Sequence, residues 1–166
     1  MPGISKREVE KLIKAKFDEK VKLRKLRTKD LDSLAITIIK EMKSMISKGI
    51  SPIKGNKRFA RYKNPERYPE GVRGSFPKKR KRPVNLTLSG DFLKMLKFKS
   101  KTGRKPKIEI GFYDKLSKKK EQGHREGAGG QPKRPIIPKG KGESYAVRIV
   151  TEVRRNLLDI LDKRFK

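Results

Sequence analysis

Acid–base chemistry at neutral pH needs a titratable group, and this chain has one histidine, His124. Glu121 and Glu126 lie close to it in sequence, so a carboxylate is at hand to orient the imidazole. Nucleophilic catalysis also needs a serine or cysteine within reach of that base. There is no cysteine, and the surrounding QGHREGAGG is rich in glycine and charge. His124 is therefore expected at a structural turn or a subunit contact, and no catalytic residue is predicted. A metal site asks for several convergent ligands. Glu109 and Asp114 flank the strand-like KIEIGFY and are the nearest thing to a nuclease pair, but nothing else accompanies them. They read as an exposed strand face, and neither a metal nor a cofactor is predicted. GAGG at 127–130 lacks the Lys-Ser/Thr that closes a phosphate loop and reads as a connector.

What remains for chemistry is charge. Lys and Arg number 48 against 18 Asp and Glu, a formal net charge of +30. Such an excess repels itself and attracts nucleic acid, acidic lipid or acidic protein. Its distribution is uneven. Residues 54–83 hold twelve bases and two acids, and residues 115–142 hold nine and two. By contrast, residues 31–53 hold three and two, and residues 143–166 hold six and four. The candidate contacts to DNA or an acidic partner are therefore Lys57, Arg58, Arg61, Lys63, Arg73 and the run Lys78, Lys79, Arg80, Lys81 and Arg82 in the first segment. In the second they are Lys118, Lys119, Lys120, Lys133 and Arg134. The KKRKR run has the composition of a nuclear localisation signal but reads as a charge run facing a partner. Phe59, Tyr62, Tyr68 and Phe76 are interleaved with the first set and can stack on bases. The simpler expectation is that they anchor the segment on its own domain or a neighbour. No zinc-finger spacing or aromatic RNA-recognition signature is present, so any nucleic-acid contact is expected to be independent of sequence.

The elements that must hold these charges are few, because only 33% of the residues are hydrophobic. Residues 29–48 place Leu31, Leu34, Ala35, Ile38, Ile39, Met42, Met45 and Ile46 at helical spacing. Thr28 or Asp30 can cap that helix, and Gly49 can end it in the left-handed conformation. Residues 143–163 carry a second stripe: Ala146, Ile149, Val150, Val153, Leu157, Ile160 and Leu161. Residues 97–113 read as a hairpin, with KFKSK, a TGRKP turn, and Ile108, Ile110 and Phe112 alternating. Leu86 and Leu88 alternate as in a strand, and Ser89 can cap a short helix carrying Phe92, Leu93 and Leu96. Residues 54–83 and 115–142 are expected to be extended basic arms or loops. Residues 5–17 can form a short charged helix within a basic extension, 1–28, ahead of a single domain at 29–166. No stretch approaches the ~18 apolar residues of a membrane span. The first residues lack the apolar core of a signal peptide, which predicts a protein made and used in a cytosol, with no membrane partner.

From residue 84 onward the order of motifs is similar to a known family. Leu88-Ser89-Gly90 with Phe92 and Leu93, then Ile110-Gly111, then His124 with Gly127, then Pro132 to Pro138 with Pro135 at its centre, lead into the last amphipathic helix. SPIKG at 51–55 followed by Arg61-Tyr62-Lys63 fits the segment after the first long helix. Over roughly residues 30–163 the chain resembles the tail-completion and virion-morphogenesis proteins of tailed bacteriophages, which sit in the neck where head joins tail. The resemblance implies an α+β fold, with long N- and C-terminal amphipathic helices packed on a small, mostly antiparallel sheet with long basic loops. It implies structural roles for Ser89, Gly90, Gly111, His124, Gly127 and Pro135. It also implies a homo-oligomeric, commonly hexameric, ring around the DNA channel. The ring would meet other neck, connector and tail proteins, and the genomic DNA through non-specific electrostatics. The protein would be found in the host cytoplasm during assembly and then in the virion. The alternative from charge alone is a non-specific nucleic-acid-binding protein associated with ribosomes or the nucleoid.

Overall fold

A computed structural model describes residues 26–56, 58–61, 86, 91–128, 132–140 and 142–165. The expected helix at 5–17 and most of the 62–90 segment lie outside the described residues.

Helix α1 spans Thr28–Ser47 and buries Leu31, Leu34, Ala35, Ile38, Met42, Met45 and Ile46. The predicted stripe is thus its inward face. Thr28 is the first helical residue and does not cap. Instead, the carboxylate of Asp30 reaches back and accepts the N–H of Arg27 at 2.7 Å, the reciprocal half of a capping box. At the other end Gly49 takes a φ of 72°. Its N–H donates to Ile46 O at 2.9 Å, and the N–H of Ile50 donates to Met45 O at 2.9 Å. This is the left-handed termination that glycine allows without a Cβ clash.

The chain then forms a turn, with isolated antiparallel bridges from Ile50 to Arg58 and from Ile53 to Tyr145. Phe59 is buried in the main core, so it anchors the basic segment on its own domain as expected. Tyr62, Tyr68 and Phe76 lie outside the described residues. Leu86 is buried with a φ of 52°. That left-handed backbone does not fit the expected strand at this point, and the burial of a large side chain holds an unfavourable conformation in place.

A short helix, α2 (Asp91–Lys94), precedes strand β1 (Leu96–Lys101), which pairs antiparallel with β2 (Lys107–Phe112). Leu96, expected in the helix, is the first strand residue and pairs with Phe112. The hairpin matches the expected one in position. Its inward residues lie against α1, and Ser100 donates to the Asp32 carboxylate at 2.5 Å.

The next element is a correction. Residues 115–142 do not form a continuous irregular arm, because Lys115–Glu126 is a twelve-residue helix, α3. Asp114 caps it by accepting the Ser117 N–H at 2.8 Å. Gly127, with a φ of 76°, closes it through a 3.0 Å bond to Gly123 O. Arg125 to Glu121 at 3.2 Å and Gln122 to Glu126 at 2.9 Å add side-chain pairs one turn apart. The apolar stripe is missing because the inward positions are polar: Ser117 and Glu121 are buried, and His124 is half-buried on the same side.

Helix α4 (Val147–Phe165) runs antiparallel to α1. Three polar links set this direction: Glu41 to Arg148 at 2.8 Å, Thr37 to Asn156 at 2.8 Å, and Asp30 to Arg164. The helix starts later than its stripe predicts, because residues 144–146 pair with the 52–54 backbone instead. The main core joins Ile38, Met42, Met45 and Ile46 of α1 to Phe59, Leu86, Phe92, Leu96, Phe112, Ile136, Ile137 and Ile149. A smaller cluster of Leu26, Leu31 and Leu161 closes the far end of the α1–α4 pair. The fold is α+β with a two-stranded sheet, as the resemblance implies. Among the described residues, no helix is long and apolar enough to cross a membrane.

Candidate polyanion-binding face

The hairpin sorts its side chains by the period-two rule of a strand. Leu96, Phe98 and Ser100 point inward from β1, and Ile108, Ile110 and Phe112 from β2. Lys97, Lys99 and Lys101 then line the outward side of β1, all exposed, with Lys107 exposed on β2. The register sets Lys101 opposite Lys107 and Lys99 opposite Glu109. Residues 96–112 hold six bases and one acid, Glu109. That acid is engaged by Lys107 at 2.5 Å, and the bond holds the Glu109 carboxyl below its ordinary range and raises the Lys107 ammonium. Lys99 sits 4.5 Å from the centre of the Tyr113 ring, a cation–π contact. The Tyr113 hydroxyl donates to Glu109 O at 3.1 Å, and partial burial raises its pKa.

A second group of charges is turned inward. Glu121 is buried on α3 and accepts from Lys139 at 2.5 Å and Arg125 at 3.2 Å. Arg125 also pairs with Glu143 at 3.1 Å and donates to Ile137 O. The Glu143 carboxyl is held low, first by the Lys139 N–H and then by Arg125. Arg134 is 1% exposed, and its guanidinium donates to Ala60 O and Arg61 O at 3.2–3.3 Å. This ionic group ties residues 132–143 to α3 and to the segment after α1.

The predicted contact residues divide between these two fates. Lys118, Lys119 and Lys120 are exposed on α3. Arg58 and Lys133, from the two basic segments, are exposed and meet on one groove of about 520 Å³ with Ser51, Asn56, Arg125 and Glu143. Arg61 is exposed, but its carbonyl serves Arg134. Arg134 itself leaves the candidate set, because burial commits it to backbone carbonyls. Lys57, Lys63, Arg73, Lys78, Lys79, Arg80, Lys81 and Arg82 lie outside the described residues, as do Ser89 and Gly90. Lys97, Lys99, Lys101 and Lys107 were not singled out from sequence, although the alternation in KFKSK carried the signal.

The motifs that carry the family resemblance converge. Phe92 of the LSGDFL segment stacks on Phe112 at 4.6 Å between ring centres and lies 5.4 Å from His124. The backbone N–H of Arg134, within the Pro132 to Pro138 segment, donates to His124 O at 2.6 Å. His124 is therefore on a helix and not at a turn, and its pKa is lowered, first by burial and then by the Arg134 charge. Gly127 has the capping role its φ demands, and Pro135 O accepts from Ser51 at 3.3 Å. Gly111 has open space where a Cβ would stand, so packing does not require glycine there.

Among the described residues, no group of three or more His, Asp or Glu side chains is placed to hold a metal ion. Asp114, read with Glu109 as part of an exposed strand face, is instead the cap of α3, and its carboxyl is held low chiefly by the Ser117 N–H. No family model matches the chain, and searches of curated proteins and solved structures also return no match.

Proposed function

We propose that this is a non-enzymatic structural protein of a tailed-phage neck, a tail-completion subunit that closes into a ring around the DNA channel. The supporting observation is the convergence at Phe92. Four segments that resemble the family only by order and spacing meet there through Phe112, His124 and the Arg134 backbone. That arrangement is the one a family fold with these motifs in its core would require.

A ring also needs a surface for a neighbour. On α4 the large apolar residues Val147, Val150 and Leu158 share one side of the helix, and all are more than half exposed. We take this side of α4 as the surface for a neighbour, and a head-to-tail contact between identical subunits closes a ring when its rotation allows. The experiment is native mass spectrometry of the purified full chain, with negative-stain imaging of the same sample and of virions. Closed rings, and the protein at the head–tail junction, are expected. A monomer at every concentration, absent from particles, would contradict the reading.

The lysine face of the hairpin, taken alone, favours the second reading, a non-specific nucleic-acid-binding protein. That reading requires duplex or single-strand binding without ring closure, so the same mass measurement separates the two.

A further inference from the structure

We infer that the outward face of the β1–β2 hairpin seats the phosphate backbone of double-stranded DNA without regard to its sequence. The inference deepens the reading above, and rests on it for the choice of DNA, by naming the surface that meets the genome. The sequence pointed to the basic segments around it instead.

Four observations support it. First, the face is cationic and its one acid is occupied. Lys97, Lys99, Lys101 and Lys107 are exposed, and Glu109 is paired to Lys107. The turn adds exposed Arg104 and Lys105 with no acid between β1 and β2. Second, the register places Lys101 directly opposite Lys107. Like charges facing across a strand pair destabilise it; the Lys107–Glu109 pair offsets part of that repulsion, and an external anion beside Lys101 would relieve the rest. Third, the spacing suits a phosphate row. Alternate strand residues stand ~6.7 Å apart, so Lys97 to Lys101 covers ~13 Å, the axial rise of about four phosphates on one DNA strand. Fourth, the face has no apolar centre. Its outward strand positions hold lysines, Glu109 and Gly111, with Tyr113 at the end already engaged by Lys99. Protein interfaces are depleted in lysine and need a buried apolar core, whereas nucleic-acid interfaces are polar and strongly positive. Charge complementarity without an apolar core favours DNA over an acidic protein. Lysine is a point charge on a flexible stem, suited to phosphates and less so to the paired donors that read a base edge.

The test uses the full-length protein and a labelled DNA duplex of random sequence, with binding followed by anisotropy over a salt series. A hairpin variant carries Lys97→Gln, Lys99→Gln, Lys101→Gln and Lys107→Gln. A control removes the same charge elsewhere, with Lys29→Gln, Lys40→Gln, Lys48→Gln and Lys163→Gln. Each phosphate contact contributes about 0.9 to the slope of log affinity against log salt. The hairpin variant should therefore lose about 3–4 from the slope and the control less than about 1. Arginine at the same four hairpin positions should restore the slope, which shows that charge and not folding is being read. Equal slopes for the hairpin variant and the control would overturn the inference, as would failure of the arginine rescue. Poly-glutamate serves as a competing probe: a hairpin variant that loses poly-glutamate but keeps the duplex would assign the face to an acidic protein and defeat the proposal. Native mass spectra of the same proteins separate the two levels. Rings with unchanged duplex binding in the hairpin variant sink this inference alone. Hairpin-dependent binding in a wild type that never closes rings supports it and sinks the ring.

Discussion

Arg134 and Lys99 look alike in the sequence, each a base in a basic stretch, yet the fold uses them in opposite ways. Arg134 is sealed inside the molecule, its guanidinium bonded to the Ala60 and Arg61 carbonyls. Lys99 stands in solvent beside Lys97 and Lys101. The difference lies in the backbone that carries them. Residues 132–140 form a strap that pairs with neither strand, and side chains satisfy much of its backbone, Ser51 at Pro135 O, Arg125 at Ile137 O and Glu143 at the Lys139 N–H, beside one backbone bond from Arg134 to His124 O. The hairpin pairs its two strands with each other and leaves its lysine side chains in solvent, Lys107 beside Glu109 and Lys99 over the Tyr113 ring. Charge within a basic segment therefore does not identify a binding residue until the hydrogen bonds of the backbone around it are accounted for.

The sharpest way to break this comparison is Arg134→Met. It leaves two carbonyls without their buried donor and should cost about 3 kcal/mol, read from urea unfolding. Its duplex-binding slope should change by no more than one charge's worth. A stable variant with strongly weakened DNA binding would reverse the roles assigned to the two regions.

The next effect depends on pH. His124 sits against Phe92 with Arg134 and Lys120 near it and Glu121 in partial opposition, and its folded pKa is depressed. The unfolded chain then binds the proton more readily than the folded one. Stability from this residue is fully present above the ordinary histidine value of about 6.5. It is lost as pH falls from there through the depressed folded value. His124→Phe keeps the ring against Phe92 and should flatten stability across that window, measured as the urea midpoint at a series of pH values. An unchanged slope would mean that the imidazole is as free to protonate in the fold as outside it.

The smallest expected effect belongs to the hairpin. The four Lys→Gln changes proposed above should alter stability by no more than about 0.5 kcal/mol, because these side chains are exposed and Lys101 faces a like charge. A large destabilisation would move these lysines to the structural side of the comparison.

How much of this was legible in the sequence followed from which residues face the core. Helices α1 and α4 bury leucine, isoleucine and methionine at helical spacing, and the hairpin alternates isoleucine with charge, so periodicity located all three. Helix α3 presents Ser117, Glu121 and His124 to the interior at the same spacing. The period was there without the hydrophobicity that makes a period visible. Two local signals were available nonetheless: an Asp three residues before a Ser at the start, Asp114 and Ser117, and Gly127 at the end. The strand expected at Leu86 failed for a tertiary reason. A left-handed residue held by core burial leaves no trace in a pattern of alternating leucines. In the candidate site the exposed lysines on α3 were legible from composition. The lysine face needed the strand register, and the removal of Arg134 from the site needed contacts across more than seventy residues of sequence.

The most direct test is electron cryo-microscopy of the full-length protein assembled with a DNA duplex. The account predicts a closed ring with the duplex passing through it and Lys97, Lys99, Lys101 and Lys107 of each subunit turned toward the phosphates. A ring with the hairpins on its outer rim, or DNA bound to unassembled monomers, would contradict it.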